Sequence, residues 1–201
     1  EISALYAMLD QRLTRLLNPA SRTLLEGRLL GLEKETLRMA PDGYIAQTPH
    51  PPALGSALTH PYITTDYSEA LLEFITPPLS GPEAVLQFLR EIHQFVYQRV
   101  GDELLWAASM PCILAGESSI PIGNYGRSNL GMMKHVYRRG LAWRYGRIMQ
   151  VIAGIHFNFS LPDEFWAAFQ EQEGDRRSLQ DFRSESYFGL IRNLQRHGWL
   201  I

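Results

Sequence analysis

The chain of 201 residues carries 19 Lys plus Arg against 21 Asp plus Glu, and 45% of it is hydrophobic. This is an ordinary globular composition, long enough to bury a core, and the near-zero net charge argues against a general binder of nucleic acid or of a membrane surface, which would carry a basic excess. Cys112 is the single cysteine, so neither an intrachain disulfide nor a cysteine-built zinc site is available, which suits a reducing cytoplasm; no signal peptide and no apolar run of about 18 residues is present.

In chain order, residues 3–17 place Leu5, Met8, Leu9, Leu13, Leu16 and Leu17 at helical spacing, with Ser3 as cap and Asn18-Pro19 as the stop. Residues 31–38, GLEKETLR, read as strand. In an extended chain residues two apart share a face, so Glu33, Glu35 and Leu37 project one way and Leu32, Lys34 and Thr36 the other. A turn at Ala40-Pro41-Asp42-Gly43 leads to a possible return strand, Tyr44-Ile45-Ala46. Residues 60–78, HPYITTDYSEALLEFITPP, favour strand with a break near residues 66–68.

Ser80-Gly81-Pro82-Glu83 fits a capping box opening a helix to about residue 100, with Leu86, Leu89, Ile92, His93, Val96 and Val100 as its buried stripe. Ser128 or Asn129 caps the next helix, to about residue 145. Residues 148–161 alternate: Met149, Val151, Ala153, Ile155, Phe157, Phe159 and Leu161 on an apolar back, Gln150, Ile152, Gly154, His156, Asn158 and Ser160 on a polar, partly small-residue front, which predicts one long strand. Residues 163–170 and 184–196 read as helices, with a charged surface loop at 171–183 between them. The sequence begins without Met and stops at Gly198-Trp199-Leu200-Ile201, which reads as the first residues of a strand; the chain is therefore expected to be part of a longer protein. The order predicts an α+β fold with a mainly antiparallel or mixed sheet and helices on one side. No strand, Gly-rich loop and helix unit for a dinucleotide or a phosphate loop is present, and Gly123-Asn124-Tyr125-Gly126 is too weak a glycine signal to supply one.

The acidic set is Glu33, Glu35, Asp66, Glu69 and Glu73. Like charges two residues apart repel, and Glu73 lies amid Leu71, Leu72, Phe74 and Ile75, where a carboxylate must find a partner. Oxygen ligands from separate strands suit Mg²⁺ or Mn²⁺, and His156 on the polar front would add an imidazole. The alternative is an edge strand with exposed Glu33 and Glu35, a Glu73 paired with an arginine and a core His156. Lys134 and Arg138 share a helix face with Arg139 beside them; they would hold phosphate oxygens or form a solvated face. Tyr137, Leu141 and Gln150 line a small pocket or pack in the core. The residues alone reach a metal-dependent phosphoryl-handling site.

Four strings, GLEKETLR, ALGSALTHPYITTDYSEALLEFITPP, YGRSNLGMMKHVYRRGL and RYGRIMQVIAGIHFNFSLP, closely resemble the proteobacterial type of glutamate–cysteine ligase, in that family's order and spacing. The resemblance implies a glutamine synthetase-like catalytic fold, with the chain as the N-terminal part of a single catalytic domain. The activity implied is ATP-dependent ligation of the glutamate γ-carboxylate to the cysteine amino group through a γ-glutamyl phosphate, the first step of glutathione biosynthesis. It puts Glu33, Glu35, Asp66, Glu73 and His156 on metal positions for Mg²⁺, with Mn²⁺ as the substitute, and Arg138 on the position that steadies the transferring phosphate. Tyr67, Tyr137, Leu141 and Gln150 fall on the pocket for cysteine, and Asn158 near the glutamate end. The implied partners are glutamate, cysteine, ATP and the remainder of the polypeptide after Ile201, in the cytoplasm, with no nucleic acid and no membrane. The alternatives are a ligase of the same fold with another amine acceptor and a non-catalytic binding module.

Overall fold

In the computed structural model residues 2–200 are described, with their side chains from residue 6 onward. The expected Ser3 cap, the Leu5 side chain and Ile201 lie outside the described residues. The chain forms two compact units, Leu30–Asn158 and the pair of segments before and after it.

The terminal segments are helical: α1 (Ile2–Leu16), α2 (Pro19–Glu26), α5 (Asp163–Glu173) and α6 (Leu179–His197). Asn18-Pro19 ends α1 as expected but also begins α2, which the sequence reading did not foresee: the Asn18 side chain accepts from Ser21 N at 3.0 Å, and proline takes the first helical position where no N–H is needed. The expected loop at 171–183 is mostly helix. Arg12 holds Glu173 at 2.7 Å at the end of α5, and Ser178 caps α6 by accepting from Asp181 N at 3.1 Å, so that the helix begins at Leu179, five residues before the expected start. Gly198–Leu200 is a 3-10 turn rather than the start of a strand. Phe165, Trp166 and Phe182 form the core of these helices.

The middle unit is fastened on β1 (Leu29–Met39). β2 (Ile63–Thr65) and β3 (Leu71–Ile75) follow, antiparallel to one another, with β3 antiparallel to β1. β4 (Leu104–Leu105) pairs antiparallel with Arg38 and Met39, and β5 (Ile155–Ser160) also pairs with β1. The sheet is thus mainly antiparallel, as expected, with the break between β2 and β3 where Asp66, Tyr67 and Ser68 put it. Tyr44-Ile45-Ala46 returns only as an isolated bridge, Met39 to Ile45.

Register decides which residues share a surface. Glu33 lies opposite Ile75, Glu35 opposite Glu73 and Leu37 opposite Leu71; on the reverse surface Lys34 lies opposite Phe74 and Thr36 opposite Leu72. The reverse surface is packed by α3 (Pro82–Tyr97), whose Ile92 and Val96 join Leu54, Ile63, Leu72, Phe74 and Val100 in one apolar cluster, each such side chain contributing about 1.5–3 kcal/mol by leaving water. The capping box does not form: Gly81 is the N-cap, with no side-chain bond. The buried stripe starts at Val85, and Leu86 is exposed, so the expected stripe is out of phase at its beginning.

On the carboxylate surface, Leu37 and Leu71 are sealed by a second cluster containing Ile45, Tyr67, Ala70, Ile120, Val151 and Ala153. The long strand expected at 148–161 is a 3-10 turn at Ile148–Val151 followed by a strand only from Ile155. The ladder fails there because its backbone groups are claimed elsewhere: Ala153 N donates to Ser109 O at 2.9 Å and Gly154 N to Glu35 Oε2 at 2.7 Å. Nor is the apolar back of the strand buried in this chain, Ile155 and Phe157 being 65% and 63% exposed.

Helix α4 (Asn129–Tyr145) starts where Ser128 accepts from Gly131 N at 3.1 Å. Gly131 is required by proximity: a Cβ there would overlap the Tyr125 carbonyl and come within 3.0 Å of Gly126 O. Gly131→Ala is therefore expected to cost about 1–3 kcal/mol, as overpacking against backbone does, read as a lowered urea midpoint of the full-length protein; an unchanged midpoint would show that α4 can step back freely. Among the described residues no helix is long and apolar enough to cross a membrane.

Candidate active site

The antiparallel pairing of β1 with β3 places Glu35 and Glu73 directly opposite one another, with Glu33 two residues along the same face. Glu33 accepts from His156 Nδ1 at 3.0 Å and from Asn158 Nδ2 at 2.9 Å. These bonds, led by the imidazole, hold its pKa below the usual carboxylate value, and the same contact raises that of His156. A proton on Nδ1 leaves Nε2 of the neutral ring as a free electron pair, the form in which histidine binds metals. Glu35 is raised by burial, against the opposing bond from Gly154 N. Glu73 is pushed up to about 7, first by burial and then by the negative charges of Asp66, Glu35 and Glu33.

Asp66 projects from the turn between β2 and β3. Its backbone carbonyl accepts from Arg138 Nε, and Arg138 Nη2 lies 4.0 Å from its Oδ1. Arg138 is anchored further by Nη1 donating to Lys134 O at 3.1 Å. The structure thus groups Glu33, Glu35, Glu73, Asp66, His156, Asn158 and Arg138 around one end of the carboxylate surface. Tyr67 and Leu141 meet in the adjoining apolar cluster. The Tyr67 side chain is buried and, among the described residues, its hydroxyl has no hydrogen-bond partner. Gln150 is half-buried in the turn that supplies Val151 to the same cluster, and Tyr137 is 64% exposed on α4.

Two charged residues, Glu69 of the acidic set and Lys34 of β1, go elsewhere. Glu69 is buried and accepts from His50 N at 2.8 Å and Asn124 N at 2.6 Å, tying two loops together. Lys34, on the opposite face from its glutamate neighbours, is half-buried against α3, lining a cavity of about 410 Å³ with Leu86, Leu89, Arg90 and His93, where burial lowers its pKa.

Carboxylates that raise one another's pKa in a partly buried face are a donor set short of positive charge, and hard oxygen donors with one imidazole match Mg²⁺ or Mn²⁺. The donor chemistry fits a divalent cation. The ligand shell does not close within this chain: among the described residues no three His, Cys, Asp or Glu side chains converge tightly enough to hold a metal ion.

Sequence reasoning missed Tyr125. It is 6% exposed, its ring lies beneath Arg138 Cζ at 4.7 Å and Lys134 Nζ at 5.0 Å, and its hydroxyl reaches the Asp66 carbonyl at 2.9 Å. The only local signal was an aromatic residue set between Gly123 and Gly126.

Several solved structures resemble the chain, among them the following two. A crystal structure of a glutamate–cysteine ligase from Francisella tularensis in complex with AMP matches with a TM-score of 0.79 at 38% identity, over 87% of this chain and 34% of that one. A bifunctional glutathione synthetase from Pasteurella multocida matches at 0.80 and 33%, over 88% and 23%. The fold is that of the glutamine synthetase-like ligases. The model of the glutamate-cysteine ligase family matches residues 13–201, and the chain belongs to that family. A glutamate–cysteine ligase from Alcanivorax borkumensis is 58% identical over 193 residues, 96% of this chain and 37% of the relative; one from Hahella chejuensis is 62% identical over 172 residues, 85% and 33%. The chain thus spans about a third of the length of these curated relatives.

Proposed function

We propose that the chain is the N-terminal part of the catalytic domain of a cytoplasmic glutamate–cysteine ligase, with ATP, glutamate and cysteine as substrates. The observation that carries this reading is the pairing of Glu35 with Glu73, with Glu33, Asp66 and Arg138 at the same end of an open sheet. In the proposed reaction the γ-phosphoryl group of ATP passes to the glutamate γ-carboxylate, ADP leaves, and the cysteine amine then displaces phosphate to form the amide. Phosphoryl transfer of this kind asks for positioning and charge neutralisation rather than covalent help.

In this reading Glu33, Glu35, Asp66, Glu73 and His156 hold Mg²⁺, or Mn²⁺ in its place, which when bound neutralises phosphate charge. Arg138 steadies the transferring phosphate, its orientation set by Lys134 O and Asp66 O. Asn158 fixes Glu33 and lies toward glutamate. Tyr67, Tyr137, Leu141 and Gln150 wall the cysteine. The unclosed ligand shell and the exposed apolar side of β5 support a need for the remaining polypeptide after Ile201.

The test is ADP release by the full-length protein. Release that requires both glutamate and cysteine is expected, with residues 1–201 alone inactive. A stronger response to an amine without a thiol would overturn the cysteine assignment, and turnover by residues 1–201 would overturn the claim that the site needs the rest of the chain.

A further inference from the structure

We infer that Tyr125 is a positioning residue of the site, locking the Asp66 turn and the Arg138 guanidinium into one arrangement. The inference rests on the ligase reading above. Its geometry is independent of any ligand.

The Asp66 carbonyl is where two side chains from distant parts of the sequence converge. Arg138 Nε donates to it from α4, and the Tyr125 hydroxyl lies 2.9 Å from it. The same hydroxyl lies 2.7 Å from Thr65 O, so its one proton is shared between successive carbonyls of the turn, and it accepts from Thr65 Oγ1 at 3.0 Å. The ring does a second job. Arg138 and Lys134 both stand over it within cation–π range, so the cation that donates to the turn is also held from beneath.

Two glycines make room for this arrangement. A Cβ at residue 123 would come within 3.0 Å of the Tyr125 hydroxyl and 3.1 Å of Cε2, and Gly131 lets α4 approach the backbone at Tyr125 and Gly126. A side chain at either position would displace the ring or the helix. One phenol thus touches both the backbone of the Asp66 turn, through its hydroxyl, and the Arg138 guanidinium, through its ring.

Tyr125→Phe keeps the ring and both cation contacts and removes only the hydroxyl; Tyr125→Leu removes both. In the full-length enzyme, Mn²⁺ binding without substrates is read by electron paramagnetic resonance, alongside kcat, KM and the melting temperature. For Phe we expect about fivefold weaker Mn²⁺ binding and a kcat lowered by about the same factor, the worth of one buried hydrogen bond. KM for glutamate and cysteine should be unchanged and the melting temperature only a few degrees lower. Leu should lose more of both Mn²⁺ binding and kcat than Phe. Wild-type Mn²⁺ binding and kcat in the Phe variant, with the parent enzyme active, would overturn this inference alone. So would a kcat that falls only in proportion to a large loss of melting temperature, the mark of a merely structural tyrosine. A parent enzyme that releases no ADP with glutamate and cysteine would overturn the ligase reading, and this inference with it.

Discussion

Replacing Glu73 by Gln is expected to make the protein more stable and the enzyme nearly dead. Glu73 faces Glu35 across the β1–β3 pair and sits in a partly buried surface that pushes its pKa from 4.5 up to about 7, by burial first and by Asp66, Glu35 and Glu33 next. Between those two pH values the folded protein keeps a proton that the unfolded chain has released. Stability contributed by this group is therefore complete below about pH 4.5 and is lost as pH rises to about 7. The full shift corresponds to ~3 kcal/mol; discounted for solvent screening at a side chain that is not fully buried, about 1–2 kcal/mol remains. Gln carries no charge to desolvate or repel. In chelator-treated full-length protein, Glu73→Gln should melt above the parent at pH 8, and the difference should shrink at pH 5. Activity should fall roughly 100-fold or more, at least the cost of losing a group that merely supports a metal ligand. Unchanged activity and Mg²⁺ dependence would refute the metal assignment, and a variant less stable at both pH values would refute the electrostatic account of the surface.

The second large effect lies in the same strand. Arg38 is fully buried, bonded to Glu103 at 2.6 Å, to Thr48 Oγ1 at 2.5 Å, to Thr48 O at 2.8 Å and to Glu69 O at 3.1 Å. Arg38→Met removes one member of a buried pair and strands the other, which costs about 3–5 kcal/mol, read as a lowered urea midpoint. Adding Glu103→Leu should recover part of the loss, because an apolar pair no longer leaves a charge unmatched. Lys34→Met is the contrast. Among the described residues Lys34 has no carboxylate within ion-pair distance, and burial already disfavours its charge, so that substitution should cost little. Equal losses from both substitutions would show that Arg38 acts through bulk alone.

The carboxylate face was legible because alternation in GLEKETLR and LLEFI is a local rule, and the turn at residues 66–70 keeps β2 and β3 adjacent. Where the same alternation failed, at 148–154, the competitors were distant: Ser109 and the Glu35 side chain took the backbone donors of Ala153 and Gly154. Helix α2 was hidden because one Asn-Pro pair serves both to stop a helix and to start the next. Glu69 could not be told from Glu73 by sequence, since the N–H groups that satisfy it come from His50 and Asn124. Tyr125 was invisible for the same reason, its hydroxyl partners Thr65 and Asp66 lying about sixty residues back along the chain.

The alternation of β1 carries one more consequence, for the insertions and deletions that the segment tolerates. Odd-numbered positions deliver Glu33, Glu35 and Leu37 to the open surface; even-numbered ones deliver Lys34 and Thr36 beneath α3 and Arg38 to its enclosed socket. Loss or gain of a single residue in the strand would exchange the two sets, presenting a lysine where carboxylates stand and driving two acids into the apolar layer. Loss of two neighbouring residues would preserve parity and shift the charges by one rung. The strand is written in a two-letter frame, and length changes in multiples of two are the ones that leave each surface with its own kind of side chain.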